Sequence, residues 1–205
     1  CCYPTVPDFI ASHVDQIVAA FEKAGSPDGV RLLFSAHGLP EKIIKAGDPY
    51  QAQVEATSAA VAAELETRTG RSWDWQVCYQ SRVGPLKWIG PSTSDAIEQA
   101  ATDGKGILLS PIAFVSEHIE TLVELDHEYA ELAHEKGVNP YLRVPALGVD
   151  SRFIKALSLA VVDACETENG TIRPAKACAM CPTPFKCQAR AQAEAQAKST
   201  ARSAA

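Results

Sequence analysis

The chain has 205 residues, with 19 basic and 25 acidic side chains, a formal charge of −6, 46% hydrophobic and 21% charged residues. That is the length of one domain with ample apolar content for a core, so a disordered tail is excluded. The acidic balance argues against a nucleic-acid or polybasic membrane surface, and no apolar run approaches the ~18 residues that a spanning helix needs.

The opening Cys1-Cys2-Tyr3, without an initiator Met or a signal-peptide pattern, reads as a fragment or a processed chain. Phe9, Ile10, His13, Val14, Ile17, Val18 and Phe21 recur at helical spacing, which predicts a helix over 9–24. A turn with two glycines and a proline follows, then an apolar run that predicts a strand over 30–35, ending at His37-Gly38. An Ala- and Glu-rich helix is predicted over 50–69, a strand over 73–80 and a covering helix over 93–101. A strand over 106–111, one long helix over 116–136, a short strand over 141–144 and a last core helix over 150–164 complete the series. No internal repeat is present.

Strands alternating with helices predict an α/β fold, a parallel sheet of about four strands flanked by helices in three Rossmann-like layers. The expected organisation is an α/β domain over 1–168, a Cys-rich metal- or cluster-binding segment over 169–188 and an Ala-rich tail over 189–205 that frays or forms a weak helix. Ligands of such folds sit beyond the carboxyl ends of the strands, which here means the polar loops 35–48, 81–91 and 112–124.

His37 lies just after the first strand, where an imidazole serves as a proton acceptor, as a metal ligand or simply as a partner for a loop carbonyl. Along the long helix, Leu122, Leu125, Tyr129 and Leu132 form an apolar stripe, while Glu120, Glu124, His127 and Glu131 fall on another face. That row is either a solvated acidic face or a set of donors along which a divalent cation passes. Tyr79, Trp88 and Phe114 bring aromatic groups to the same sheet edge, as a wall for a flat apolar ligand or as strand core and loop anchor.

Of seven cysteines, Cys178, Cys181 and Cys187 crowd into ten residues. In a chain without a secretory signal this reads as an iron or zinc site sooner than as disulfides. Three thiolates leave a four-ligand site one short, with Cys165 the nearest candidate and Cys1 and Cys2 the others. Cys78, in mid-strand, reads as inert core.

Together the runs Phe34-Ser-Ala-His-Gly-Leu-Pro40, Gly47-Asp-Pro-Tyr50, Gln80-Ser-Arg-Val-Gly-Pro85 with Trp88-Ile-Gly-Pro91, and Pro111 through Asp126 resemble the ferrochelatase family. The match is ordered from about Tyr3 to Cys187 and is closer to the proteobacterial and animal forms. It implies insertion of ferrous iron into protoporphyrin IX, the last step of haem synthesis, with His37 and Glu120 acting on opposite sides of the macrocycle. It further implies an iron path through His118, Glu124 and Asp126, and a porphyrin pocket at Tyr50, Tyr79, Val83, Trp88 and Phe114. Cys178, Cys181 and Cys187 resemble the 2Fe–2S ligands of some members, although the last gap of five residues is one longer than in the animal enzymes.

Members of the family have two similar α/β domains with the porphyrin between them, and this chain resembles the second. The expected partners are therefore protoporphyrin, ferrous iron and an amino-terminal half, with a homodimer as in animal relatives. The expected location is cytoplasmic, with at most peripheral contact to the inner membrane. Two other readings stand beside this one: a non-catalytic iron–sulfur or zinc module on an α/β scaffold, and, lower, a cobalt chelatase of the same fold. The cobalt enzyme would need more cations near the pocket than Arg82 and Lys87.

Overall fold

The computed structural model describes residues 3–166. The Cys-rich segment with Cys178, Cys181 and Cys187, the Ala-rich tail, and Cys1 and Cys2 lie outside the described residues. The chain runs α1 (Pro7–Lys23), β1 (Val30–His37), α2 (Glu41–Lys45), α3 (Tyr50–Thr69), β2 (Trp75–Gln80), α4 (Thr93–Thr102), β3 (Gly106–Pro111) and α5 (Ile119–Leu122). A π-helical segment (Glu124–Glu128), α6 (Tyr129–Glu135), β4 (Tyr141–Arg143) and α7 (Ser151–Glu166) follow.

All four strands are parallel, in the order β2-β1-β3-β4. Alternate residues of a strand face opposite sides of the sheet, so a strand covered on both sides must be apolar throughout. In β1, Leu32, Phe34 and Ala36 pack with α1, α3 and α7, through Ile17, Phe21, Val61, Leu65 and Phe153. Leu33, with Cys78 of β2 and Ile107 and Leu109 of β3, packs against α4, α6 and the π segment through Ile97, Ala100, Leu125 and Ala133. Each fully buried Leu or Ile here contributes roughly 1.5–3 kcal/mol of burial.

Several boundaries move for local reasons. β2 starts at Trp75, because Trp73 instead packs its ring against Phe21 (centroids 5.1 Å apart) and donates its indole N–H to Thr69 Oγ1 at 3.1 Å. The short α2 lies inside what reads as a polar loop.

The single helix expected over 116–136 is corrected. His118 has an extended backbone (φ −159°, ψ −172°), so helix begins only at Ile119. After four residues the chain widens into the π segment, where Glu128 N–H donates to Val123 O at 3.0 Å, five residues back. The Tyr141 hydroxyl donates to Leu125 O at 2.7 Å. The buried residues Thr121, Leu125 and Ala133 and the half-buried Tyr129 recur every fourth position. A 3.6-residue turn cannot keep such a stripe on one side, and one wider turn restores its phase. Leu122, expected in the stripe, is exposed.

Candidate active site

The carboxyl ends of β1 and β2 meet in register, His37 opposite Gln80, and the chain leaving β3 passes over them into α5. His37 Nδ1 is 2.7 Å from Gly38 O and, facing a carbonyl, carries the proton. Nε2 is thereby the nitrogen free to accept one, and it stands 3.5 Å from Glu120 Oε1. Both side chains are open to solvent, 40% and 34% exposed. The loop-carbonyl role and the proton-acceptor role of His37 thus fall on different nitrogens of one ring.

Gly38 lets this loop sit close to its neighbour. Its N–H donates to Gln80 O at 2.8 Å, and a Cβ there would lie 2.9 Å from that oxygen and 3.0 Å from Arg82 Cγ. Trp88 lies 3.4 Å from the same point and pairs as a bridge with Pro40, so it anchors the loop. Tyr50 opens α3, where its N–H donates to Asp48 Oδ1 at 2.8 Å. Burial pushes its phenol up to about 12, with the Asp48 and Glu120 carboxylates adding to the rise and the His37 backbone opposing it. Tyr50 is therefore a protonated donor throughout the neutral range.

The acidic row divides. Glu124 Oε1 accepts from Ser81 Oγ at 2.7 Å, and Oε2 accepts from Ser81 N–H at 3.0 Å and Gln80 Nε2 at 3.3 Å. Ser81 is held at φ +58°, a left-handed conformation uncommon outside glycine. Asp126 turns away, taking Arg143 in a bidentate pair at 2.6 and 2.9 Å. The other arm of Arg143 reaches Glu117 at 2.6 Å. His118 Nδ1 accepts from Glu120 N–H at 3.2 Å and so caps α5. His127 and Glu131 are on the solvated face. Among the described residues, no group of three or more His, Cys, Asp or Glu gathers where it would hold a metal ion.

Of the aromatic positions, Tyr79 is 1% exposed in the core with α3, and Phe114 is also buried, while Val83 is 77% exposed. A cavity of about 210 Å³ beside Tyr50 is lined by Tyr3, Phe9, Val54, Ile112 and Val115. It is smaller than the ~300–1,000 Å³ usual for small-molecule pockets, whereas a second cavity of about 340 Å³ beside Tyr79, Arg82 and Trp88 reaches that range. Cys78 is buried, its thiol pushed up to about 11 by burial, whereas Cys165 is exposed on α7.

A macrocycle needs about 3.5 Å of clearance on each face, roughly 7 Å in all, to lie between two groups. At 3.5 Å His37 and Glu120 form one pair with no such gap between them. Gln80 was not among the expected site residues. Its one sequence signal is a polar residue at the end of an apolar strand, which does not say where its amide points.

The family model described as Ferrochelatase matches residues 1–164. The chain is 62% identical over 174 residues to a ferrochelatase of Caulobacter vibrioides, covering 85% of this chain and 49% of that protein. It is 59% identical over 164 residues to one of Phenylobacterium zucineum (80% and 47%). With one of Hyphomonas neptunium it shares 51% over 183 residues (89% and 50%). The chain thus spans about half the length of the curated relatives it matches.

Proposed function

The chain belongs to the ferrochelatase family, and from that premise we propose that it is the carboxy-terminal half of an enzyme that inserts ferrous iron into protoporphyrin IX to form haem. The observation that carries this reading is the His37–Glu120 pair, set 3.5 Å apart beyond the carboxyl ends of a parallel sheet. Insertion exchanges two pyrrole N–H protons for iron–nitrogen bonds, and a base in hydrogen-bond reach of the ring is what that exchange needs. In this reading His37 Nε2 accepts a pyrrole proton, Gly38 O holds the Nδ1 proton, and the Glu120 carboxylate stabilises the imidazolium that forms. Tyr50, Val83 and Trp88 line the approach to the ring, with Tyr79 and Phe114 supporting it from the core. Iron is a substrate that passes through, in keeping with the scattered donors His118, Glu124 and Asp126, each of which also holds a protein partner. The chain spans about half the length of its relatives, and in this reading residues 1–168 are one of two α/β domains, the other completing the porphyrin pocket.

A further group is proposed for the cysteines. Cys178, Cys181 and Cys187 would hold a 2Fe–2S cluster with Cys165, which is exposed at the end of α7, whereas buried Cys78 is in no position to serve. Bound there, such a cluster supplies one-electron chemistry or structural cross-linking apart from the sheet edge. No helix among the described residues is long and apolar enough to cross a membrane, and a cytoplasmic location with peripheral membrane contact suits an apolar porphyrin. A homodimer is proposed from the animal relatives alone.

The test is a chimera that joins the amino-terminal half of the Caulobacter relative to this chain, assayed anaerobically with protoporphyrin and ferrous iron. Haem formation that is lost in both His37→Ala and Glu120→Ala supports the reading. Undiminished rates in both variants overturn it.

A further inference from the structure

We propose that Gln80 is a positioning residue for the His37–Glu120 pair: its buried carboxamide ties the strand that ends in His37 to the backbone that carries Glu120. The proposal rests on the reading of that pair as the proton-transfer centre.

Gln80 is the last residue of β2, fully buried and in register with His37. Its Oε1 accepts from Ser35 Oγ at 2.8 Å, two residues before His37 on β1. Its Nε2 donates to Glu120 O at 2.7 Å and to Glu124 Oε2 at 3.3 Å. The orientation of the amide is fixed by these partners. Turned over, it would set its oxygen against a carbonyl and a carboxylate, which only accept.

The need for such a tie comes from the segment it holds. α5 has four residues, starts after an extended His118 and runs into the π segment, so little within it fixes where Glu120 stands. Gln80 binds that segment at Glu120 O, and Gln80 with Ser81 binds it again one turn later at Glu124. Leucine at position 80 would keep most of the volume while leaving Glu120 O without its side-chain donor, and Ser35 Oγ with Thr93 Oγ1 alone. Glu120 would then drift from His37.

The test is acylation of His37 by diethyl pyrocarbonate in the 205-residue chain, read for each histidine by peptide mass spectrometry. Buried His13 and exposed His134, both away from the α5 segment, serve as internal controls. Glu120→Ala uncovers Nε2 and raises the His37 rate several-fold. The proposal expects Gln80→Leu to raise it similarly, with unchanged control rates, and the double variant to go no higher than Glu120→Ala alone. A general loss of structure would instead uncover and accelerate the buried His13. Ser35→Ala, which frees Oε1 and removes the Ser35–Thr93 contact but leaves both Nε2 bonds in place, should raise the His37 rate by less. A wild-type His37 rate in both Gln80→Leu and Ser35→Ala, or additive effects of Gln80→Leu and Glu120→Ala, overturns the proposal. Because the readout needs no haem synthesis, an inactive chimera would overturn the function while the acylation pattern still decides the role of Gln80.

Discussion

His37 Nε2 and Glu120 Oε1 face each other at 3.5 Å, one at the end of a strand and the other in the first turn of a distant short helix. Neither element alone produces that meeting. Each side chain is partly solvated and makes few other contacts, so removing either should leave the fold intact. In the chimera, the proposed function expects His37→Ala to lower iron insertion by the ~10²–10⁴-fold typical of a lost acid–base group, and Glu120→Ala to lower it as well. Melting temperatures should stay near that of the parent, as circular dichroism would show.

Gly38→Ala should disturb both stability and site. The added methyl would lie 2.9 Å from Gln80 O, a backbone atom already bonded to the Gly38 N–H, so the loop must shift. Overpacking of this kind costs about 1–3 kcal/mol. Urea unfolding gives the cost, and His37 acylation gives the displacement.

Acid should weaken the fold through His13. This residue is buried on α1 with its ring against Phe9, and burial lowers its pKa to about 4, with Asp150 opposing. The unfolded chain takes up a proton near pH 6.5 that the native state refuses until about pH 4. Stability from this group is therefore complete above about 6.5 and lost as pH falls toward 4, on the order of 3 kcal/mol in all. Unfolding of a His13→Phe variant across pH 7 to 4 should lack this part of the slope, whatever its effect at neutral pH.

Arg143 clamps Asp126 of the π segment and Glu117 of the preceding loop. At Glu117 burial acts upward, yet Arg143, Thr121 and the Ala146 N–H together hold the carboxyl below its usual range. A double-mutant cycle of Arg143→Met with Asp126→Asn should give a coupling of about 1 kcal/mol, more than for a fully exposed pair.

Thiol labelling should separate two cysteines. Cys165 is exposed and should react promptly, whereas Cys78, buried and pushed up to about 11, should react only after unfolding. If Cys165 completes the proposed cluster, anaerobic reconstitution with iron and sulfide should protect it. Unchanged Cys165 labelling in a chain that has acquired the chromophore would assign the fourth ligand elsewhere.

The sheet was legible because burial on both faces writes itself as unbroken apolar runs, as at Leu32 to Phe34 and Ile107 to Leu109. The position of His37 followed from the end of such a run. The break in the long helix was harder, because Glu120, Glu124, His127 and Glu131 satisfy an α-helical period while Thr121, Leu125, Tyr129 and Ala133 satisfy a wider one. Only packing decides between the two. The burial of Tyr79 and Phe114 and the partners of Gln80 and Asp126 are properties of side-chain direction across several elements, which spacing along the chain does not encode.

The π segment also acts as a one-residue phase shift in the genetic text. Upstream of it, Glu120 is held over the sheet edge; downstream, Ala133 is held in the core. Deleting one residue between 124 and 128 would restore a regular helix and turn one end by about 100° relative to the other. Either the carboxylate or the core stripe would then lose its place. A frame-preserving deletion, ordinarily mild on a helix surface, should here be among the least tolerated changes in the chain.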